Sequence, residues 1–271
     1  IFDKATGLVR AAGKKDSMIN IAGPYFNLRT RGAPVIYSYH QINDYRGWEL
    51  LDFNWEEVGE TVIIRTKGRC SDSLAVSFTM SITPGGELGI RYEAEGIPPE
   101  TIRELGVRFQ IGPGIDAISW EREGYWSHYP DLHLSALKGT QALYPEELKK
   151  YRAIPPKEWA FDTKSFYYSG TENESKGTLA FRAKATRENI REYSLLQAGK
   201  KVLTVIGEGD VHCRLAGNED ILDLYISNEM DYVDLSWGNY QREIVHEGSY
   251  VGKVQVMLFD GKRQIISRAE H

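Results

Sequence analysis

The sequence contains little cysteine, no long apolar run and no excess of positive charge. Only Cys70 and Cys213 occur among its 271 residues, which excludes a disulfide scaffold and a cysteine-rich zinc module. The longest stretch without a charge, Ser73 to Gly86, contains Ser, Thr, Pro and Gly and is too short and too polar to span a bilayer. The net charge of −5 at pH 7 does not provide the basic surface that a general nucleic-acid binder needs. We therefore expect neither a membrane nor a nucleic acid as a partner.

Helical periodicity is also scarce, and a period of two dominates. Apolar residues that alternate with polar or small ones are found at 74–82, 88–92, 105–111, 179–183 and 254–258. Successive side chains of a strand point to opposite faces, so this pattern predicts half-buried antiparallel strands. Glycine- and proline-rich turn sequences at 84–86, 96–99 and 112–114 separate several of them.

These strands predict an all-β fold, a large antiparallel two-sheet supersandwich that occupies residues 1–271 as a single domain. The chain has roughly fifteen strand candidates, without a linker-like break in composition or an internal repeat. Two short helices are predicted in addition, one over 145–151 with Pro145 at its start and one over 186–193 with Thr186 as N-cap. The strand-like start without Met leads us to expect a piece excised from a longer protein.

The segment 118–168 carries most of the chemical information. It is dense in aromatic residues interleaved with polar and charged ones, and it has little clean period. Long irregular segments in compact domains tend to be functional or disordered, and this one is too aromatic to be disordered. We therefore expect a functional excursion between strands.

Three places in the chain resemble the C-terminal domain of glycoside hydrolase family two beta-galactosidases, a galactose mutarotase-like supersandwich. Residues 2–8 followed by Gly23-Pro24-Tyr25-Phe26-Asn27-Leu28-Arg29 resemble the family's "F-x-x-x-x-G-x-L … G-P-x-x-N-x-x-R" opening. Residues 105–109, 118–120 and 124–131 are similar to its "R-x-G-x-x-F … V-x-W-x-G-x-G-P-x-E-x-Y-x-D-R" segment. Pro156-Lys157-Glu158 lies where the family has Pro-Gln-Glu.

The chain also departs from that pattern. Ser127 replaces the family's Glu, Leu132 replaces its closing Arg, and 30–34 lacks the acidic and amide run that follows the opening Arg. The resemblance implies an accessory domain without the catalytic carboxylates, whose loops help to close the cleft of an upstream catalytic domain on the same polypeptide. The departures indicate a divergent branch that acts on another glycan.

The predicted sugar-binding site lies in the aromatic segment and at the Pro-Lys-Glu motif. Aromatic faces would stack on a pyranose ring, while carboxylates and an imidazole would bind its hydroxyls. The alternative interpretation is an aromatic network that anchors a long loop. The candidate residues are Trp126, Tyr129, Asp131, His133, Glu158 and Trp159.

Other chemistry receives less support from the sequence. His128, Asp131 and His133 contain metal-ligating groups but match no established zinc spacing, so we expect no metal and no other cofactor. The acidic pairs that could serve a glycosidase are Glu121 with Glu123 and Asp131 with Glu158, although chance pairs are plentiful among 38 acidic residues.

Three functional interpretations remain open. The first is a non-catalytic, carbohydrate-binding accessory domain of a glycoside hydrolase. The second is an aldose 1-epimerase that uses an acid–base pair such as His133 with Glu158, or His212 with a nearby acid, although His212 is better explained as a core histidine. The third is a purely structural or carbohydrate-binding module. A periplasmic, secreted or cytoplasmic location remains possible in each case.

Overall fold

The computed structural model confirms the all-β prediction with two antiparallel sheets. It describes residues 1–14, 17–36, 39–124, 137–142, 187–217, 221–230 and 244–258. The strands in these ranges are β1 Phe2–Asp3, β2 Leu8–Lys14, β3 Ser17–Ile36, β4 Tyr39–Asp44, β5 Glu49–Val58, β6 Thr61–Arg69, β7 Ala75–Ile82, β8 Glu87–Ile97, β9 Ile102–Ile111, β10 Ala117–Arg122, β11 Lys138–Ala142, β12 Ile190–Gln197, β13 Lys200–Ile206, β14 His212–Gly217, β15 Leu222–Met230 and β16 Gly248–Leu258. No helix occurs within these described ranges.

The strands form one sheet of seven strands and one of nine. The seven-stranded sheet has the order β1-β2-β3-β9-β15-β14, and β4 also pairs with β3. The nine-stranded sheet has the order β11-β10-β12-β13-β16-β8-β7-β6-β5. Every pairing is antiparallel. Such an arrangement buries one face of each sheet against the other, as a sandwich requires.

The predicted alternation is clearest in β7 and β8. Val76, Phe78 and Met80 of β7 are buried, as are Leu88, Ile90 and Tyr92 of β8, while the intervening residues are more accessible. The predicted turn at 84–86 joins these two strands. Phe26 of β3 meets Tyr92 edge-on, with ring centroids 5.8 Å apart, so the side chains of the two sheets pack directly against each other.

Strand β9 follows the predicted period, but its exposure differs from the prediction. A half-buried strand would leave Arg108 in solvent, whereas Glu104 and Arg108 are both buried. The physical reason is position, because β9 lies in the middle of the seven-stranded sheet between β3 and β15. The face of β9 that carries Glu104 and Arg108 is therefore polar and buried.

The predicted helix over 186–193 is wrong, since β12 begins at Ile190 within that range. Tyr193 and Leu195 are both fully buried, and they pair with Val205 and Leu203 of β13. A two-turn helix is marginal by itself, so burial of alternate side chains in the sheet outweighs the capping signal. The other predicted helix, 145–151, lies outside the described residues.

The segment 118–168 is not irregular throughout. Strand β10 pairs with β11 from Ala117↔Ala142 to Glu121↔Lys138, and β11 ends the nine-stranded sheet. Trp120 is buried and has the guanidinium carbon of Arg187 3.7 Å from its ring centroid. Burial lowers the pKa of that arginine to about 10. Trp120 therefore belongs to the core rather than to an exposed aromatic surface.

Candidate functional site

The sugar-binding residues predicted from sequence all lie outside the residues that the structure describes. They are Trp126, Tyr129, Asp131, His133, Glu158 and Trp159. The same holds for His128 and for the acidic pair Asp131 and Glu158. The roles proposed for these residues therefore stay predictions.

The described residues bring a set of polar side chains together on the seven-stranded sheet, on the face turned away from the core. The strand register places Tyr25, Asn27 and Arg29 of β3 opposite Arg108, Gly106 and Glu104 of β9. On the other side of β9, Tyr225 and Ser227 of β15 lie opposite Arg108 and Gly106. We call this surface the polar face; its members are Tyr25, Asn27, Arg29, Asp44, Arg46, Glu104, Arg108, His212, Arg214, Asp223, Tyr225 and Ser227.

Glu104 is at the centre of the polar face. Its Oε2 accepts hydrogen bonds from Arg214 Nη2 at 2.7 Å and from Asn27 Nδ2 at 3.3 Å. Its Oε1 lies 3.6 Å from Arg29 Nη1. The side chains of Arg29, Glu104 and Arg214 are only 5%, 2% and 1% exposed. Two guanidinium groups thus neutralise one deeply buried carboxylate.

Tyr225 links this centre to the edge of the polar face. The Arg214 guanidinium carbon lies 3.7 Å from the centroid of the Tyr225 ring, in a cation–π contact. The phenol oxygen accepts a hydrogen bond from Arg46 Nη2 at 3.2 Å. Burial raises the pKa of Tyr225, and the positive charges of Arg214 and Arg46 oppose that rise. The phenol therefore stays protonated at neutral pH and can itself donate a hydrogen bond.

Two further ion pairs lie nearer the solvent. Arg108 Nη1 contacts Asp223 Oδ1 at 2.7 Å, and its guanidinium carbon lies 4.9 Å from the Tyr25 ring centroid. Asp44 accepts Arg46 Nε at 2.5 Å, and the Arg46 side chain is 49% exposed. The polar face thus grades from a buried charged centre to an accessible rim of guanidinium, carboxylate and aromatic groups.

One buried group on the polar face is unsatisfied. Ser227 is fully buried, and its hydroxyl has no hydrogen-bond partner in the described part of the chain. It lies opposite Gly106, where a Cβ atom would approach the Ile226 carbonyl oxygen to 2.1 Å. Leaving a buried hydroxyl unpaired costs free energy, and the full burial of Ser227 keeps this hydroxyl away from the accessible rim.

The other acidic pair predicted from the sequence, Glu121 with Glu123, forms ordinary ion pairs at the surface. Glu121 pairs with Lys138 at 2.9 Å and Glu123 pairs with Arg191, all four side chains being well exposed. Exposed ion pairs of this kind are common and contribute little, so neither carboxylate is marked as catalytic. Within the described ranges, no group of three His, Cys, Asp or Glu residues could hold a metal ion.

His212 is half-buried on the polar face rather than a core residue. Its Nδ1 accepts the backbone N–H of Asn189 at 3.1 Å, which fixes the ring orientation. The neighbouring residue, Cys213, is fully buried in the core, as alternation along β14 requires. The prediction that His212 is a core histidine is therefore wrong, and the core residue at this place is Cys213.

The polar face could not be predicted from the sequence because its signal is distributed over four strands. Alternate polar residues at 25, 27 and 29, at 104 and 108, and at 223, 225 and 227 were visible as the outward-facing half of each strand. Only the pairing of β3, β9, β15 and β14 shows that these positions share one surface.

No protein-family model matches the chain, and a comparison with curated proteins also finds no match.

Among the described residues, no helix is long and apolar enough to cross a membrane.

Proposed function

We propose that this chain is a carbohydrate-binding accessory domain that works beside a glycoside hydrolase catalytic domain, and that the polar face is its ligand surface. The observation that carries the proposal is the buried network around Glu104, which involves Arg29 and Arg214. Burying such charges has a large desolvation cost, and apolar residues of the same volume are often at least as stable. A sheet that needs only stability gains little from this network, so we take its use to be holding Asp44 and Arg46 of the rim in place for a ligand.

The chemistry of the rim fits a sugar. Guanidinium and carboxylate groups bind sugar hydroxyls as donors and acceptors, and the half-buried ring of Tyr25 offers apolar surface beside them. A neutral sugar needs both donors and acceptors, because a site with charges of only one sign would favour a ligand of the opposite charge. Arg46 and Asp44 at the rim supply one group of each kind.

The resemblance to the beta-galactosidase domain supports the same surface. Asn27 lies in the stretch that resembles the "G-P-x-x-N-x-x-R" opening, where Arg29 comes one residue before the position of the motif's arginine, and Gly106 comes from the second motif. Asn27 and Gly106 are far apart in sequence, but they are neighbours on the polar face. Motif residues that converge on one surface are expected where the motif serves recognition rather than packing.

The proposal is tested by titrating the full chain with galactose, glucose and mannose while recording backbone amide chemical shifts. We expect weak binding, with a dissociation constant of about 1 mM or a free energy of about −4 kcal/mol, and shifts centred on β3, β9 and β15. Arg46→Ala should weaken the binding, because it removes an accessible donor from the rim. Arg65→Ala is the matched control, since Arg65 is also an ion-paired arginine, 46% exposed, on the other sheet.

Two results would contradict the proposal. If none of these sugars, and no disaccharide made from them, shifts any amide of the polar face, the domain is a structural module. If sugars bind but the shifts lie on the nine-stranded sheet, the polar face is not the ligand surface.

A further inference from the structure

Strand β5 presents an unusual edge. It is the last strand of the nine-stranded sheet in the described part of the chain, and it runs for 10 residues, Glu49–Val58. Most of its side chains are exposed, including three large apolar ones: Leu51 at 55%, Trp55 at 59% and Val58 at 54%. An edge strand with open apolar side chains is a template for another strand.

The two faces of β5 differ in chemistry. Phe53 and Trp55 lie opposite Thr66 and Ile64, which are buried, so both aromatic residues are on the core side of the sheet. The register then places the opposite face of the strand toward solvent, with the acidic residues Asp52 and Glu56. Trp55 therefore extends the core face beyond the region that the second sheet covers.

The charge of this edge is one-sided. Residues 49–60 contain five carboxylates, at Glu49, Asp52, Glu56, Glu57 and Glu60, and no basic residue. Arg69 and Arg65 of β6 pair with Glu49 and Glu56, while no ion pair is recorded for Asp52 or Glu57 among the described residues. Charge at a sheet edge normally prevents unwanted pairing, but an exposed tryptophan favours pairing.

We propose that β5 is a docking edge for an extended, basic segment of a partner protein, which adds to the nine-stranded sheet as an antiparallel strand. Main-chain hydrogen bonds would provide most of the affinity, and alternate side chains would provide the specificity. Residues on one side of the added strand would pack apolar groups beside Trp55, and those on the other side would place Lys or Arg beside Asp52 and Glu56.

Charge complementarity selects this occupant over a second copy of the chain. Two β5 edges brought together would oppose four carboxylates on each copy, and like charges across a strand pair are destabilising. A basic strand reverses that repulsion and gains from the carboxylates of Asp52 and Glu56, which lie on the face opposite Trp55. The acidic edge thus excludes self-association while it keeps its apolar residues available.

The test uses the full chain and a synthetic peptide as long as β5, in which lysine alternates with valine. Hydrogen–deuterium exchange should slow at residues 49–58 when the peptide is added, and the effect should decline as salt is raised. The same peptide with glutamate in place of lysine should leave the exchange unchanged. Trp55→Ala should weaken lysine-peptide binding about tenfold, which corresponds to about 1.4 kcal/mol.

Val251→Ala on β16 is the matched control, because Val251 is a similarly exposed apolar residue at 52% on another strand. It should bind the lysine peptide like the unaltered chain. If Trp55→Ala fails to fold, the double variant Asp52→Asn and Glu56→Gln serves instead and should also weaken binding. The proposal is overturned if the lysine peptide protects no amide of β5, if the glutamate peptide protects them equally, or if folded Trp55→Ala or the double variant binds unchanged.

Discussion

Glu104 shows at the residue scale why a buried charge can exist on a sheet face. Its carboxylate is held by Arg214, Asn27 and Arg29, so the loss of hydration is offset by charge-assisted contacts from three directions. Arg214 is held in turn against the Tyr225 ring. Each side chain fixes the position of the next, which keeps the rim groups in a defined geometry.

The first prediction concerns this carboxylate. Glu104→Gln removes the negative charge but keeps the shape of the side chain, leaving the buried Arg29 and Arg214 without that anion. We expect the free energy of unfolding to fall by about 3–5 kcal/mol, as when one partner of a buried pair is removed. Urea denaturation measures the change. Glu56→Gln is the control, because its pair with Arg65 is exposed and should change stability by no more than about 1 kcal/mol.

At the element scale, the close approach of β8 and β16 is set by a glycine. Gly252 lies opposite Tyr92, and a Cβ atom at this position would lie 2.1 Å from Tyr92 Cζ and 2.2 Å from its hydroxyl oxygen. The absent side chain leaves room for the Tyr92 phenol, whose OH then donates to Asn228 Oδ1 at 2.7 Å. Since Asn228 belongs to β15, this contact connects the nine-stranded sheet to the seven-stranded one.

We therefore expect Gly252→Ala to displace the Tyr92 ring and to lower the stability by about 1–3 kcal/mol, the usual cost of overpacking. Thermal unfolding followed by circular dichroism measures the loss. Gly85→Ala in the β7–β8 turn is the control, since its Cβ atom would meet only Thr83 Oγ1, at 3.5 Å. Equal melting temperatures for both variants would show that the Tyr92 contact adapts without cost.

At the scale of the whole molecule, the sandwich assigns its surfaces to different tasks. The inner faces of the two sheets form the core, and the outer face of the seven-stranded sheet carries the buried arginine and carboxylate network. The three carboxylates of the polar face, Asp44, Glu104 and Asp223, each contact an arginine. A glycosidase needs a pair of carboxyl groups available to the sugar, one of them to protonate the leaving group.

The third prediction is that the chain alone does not hydrolyse glycosides. The measurement is an assay of the purified chain against a panel of aryl glycosides, with an intact glycosidase as positive control. Turnover that disappears in Glu158→Gln or Asp131→Asn would contradict the accessory role and would place a catalytic carboxylate in this chain.

The sequence by itself determined the strand content, the period and many of the turns. β7 and β8 were predicted closely, because alternation and turn residues act over a few neighbouring positions. The range 186–193 was predicted wrongly, since its capping residues are a local signal that the pairing of β12 with β13 outweighs. The proposed sugar contacts in the 125–133 segment and at Glu158 and Trp159 remain predictions.

Only the tertiary structure decided which polar residues meet. Arg29, Glu104 and Arg214 lie on three strands that are distant in sequence, and only the order β3-β9-β15-β14 brings them to one face. The exposure of Trp55 could not be predicted from the sequence either, because it depends on where the second sheet ends. Alternation tells which side chains share a strand face, but the register between distant strands decides whether that face is core, ligand surface or open edge.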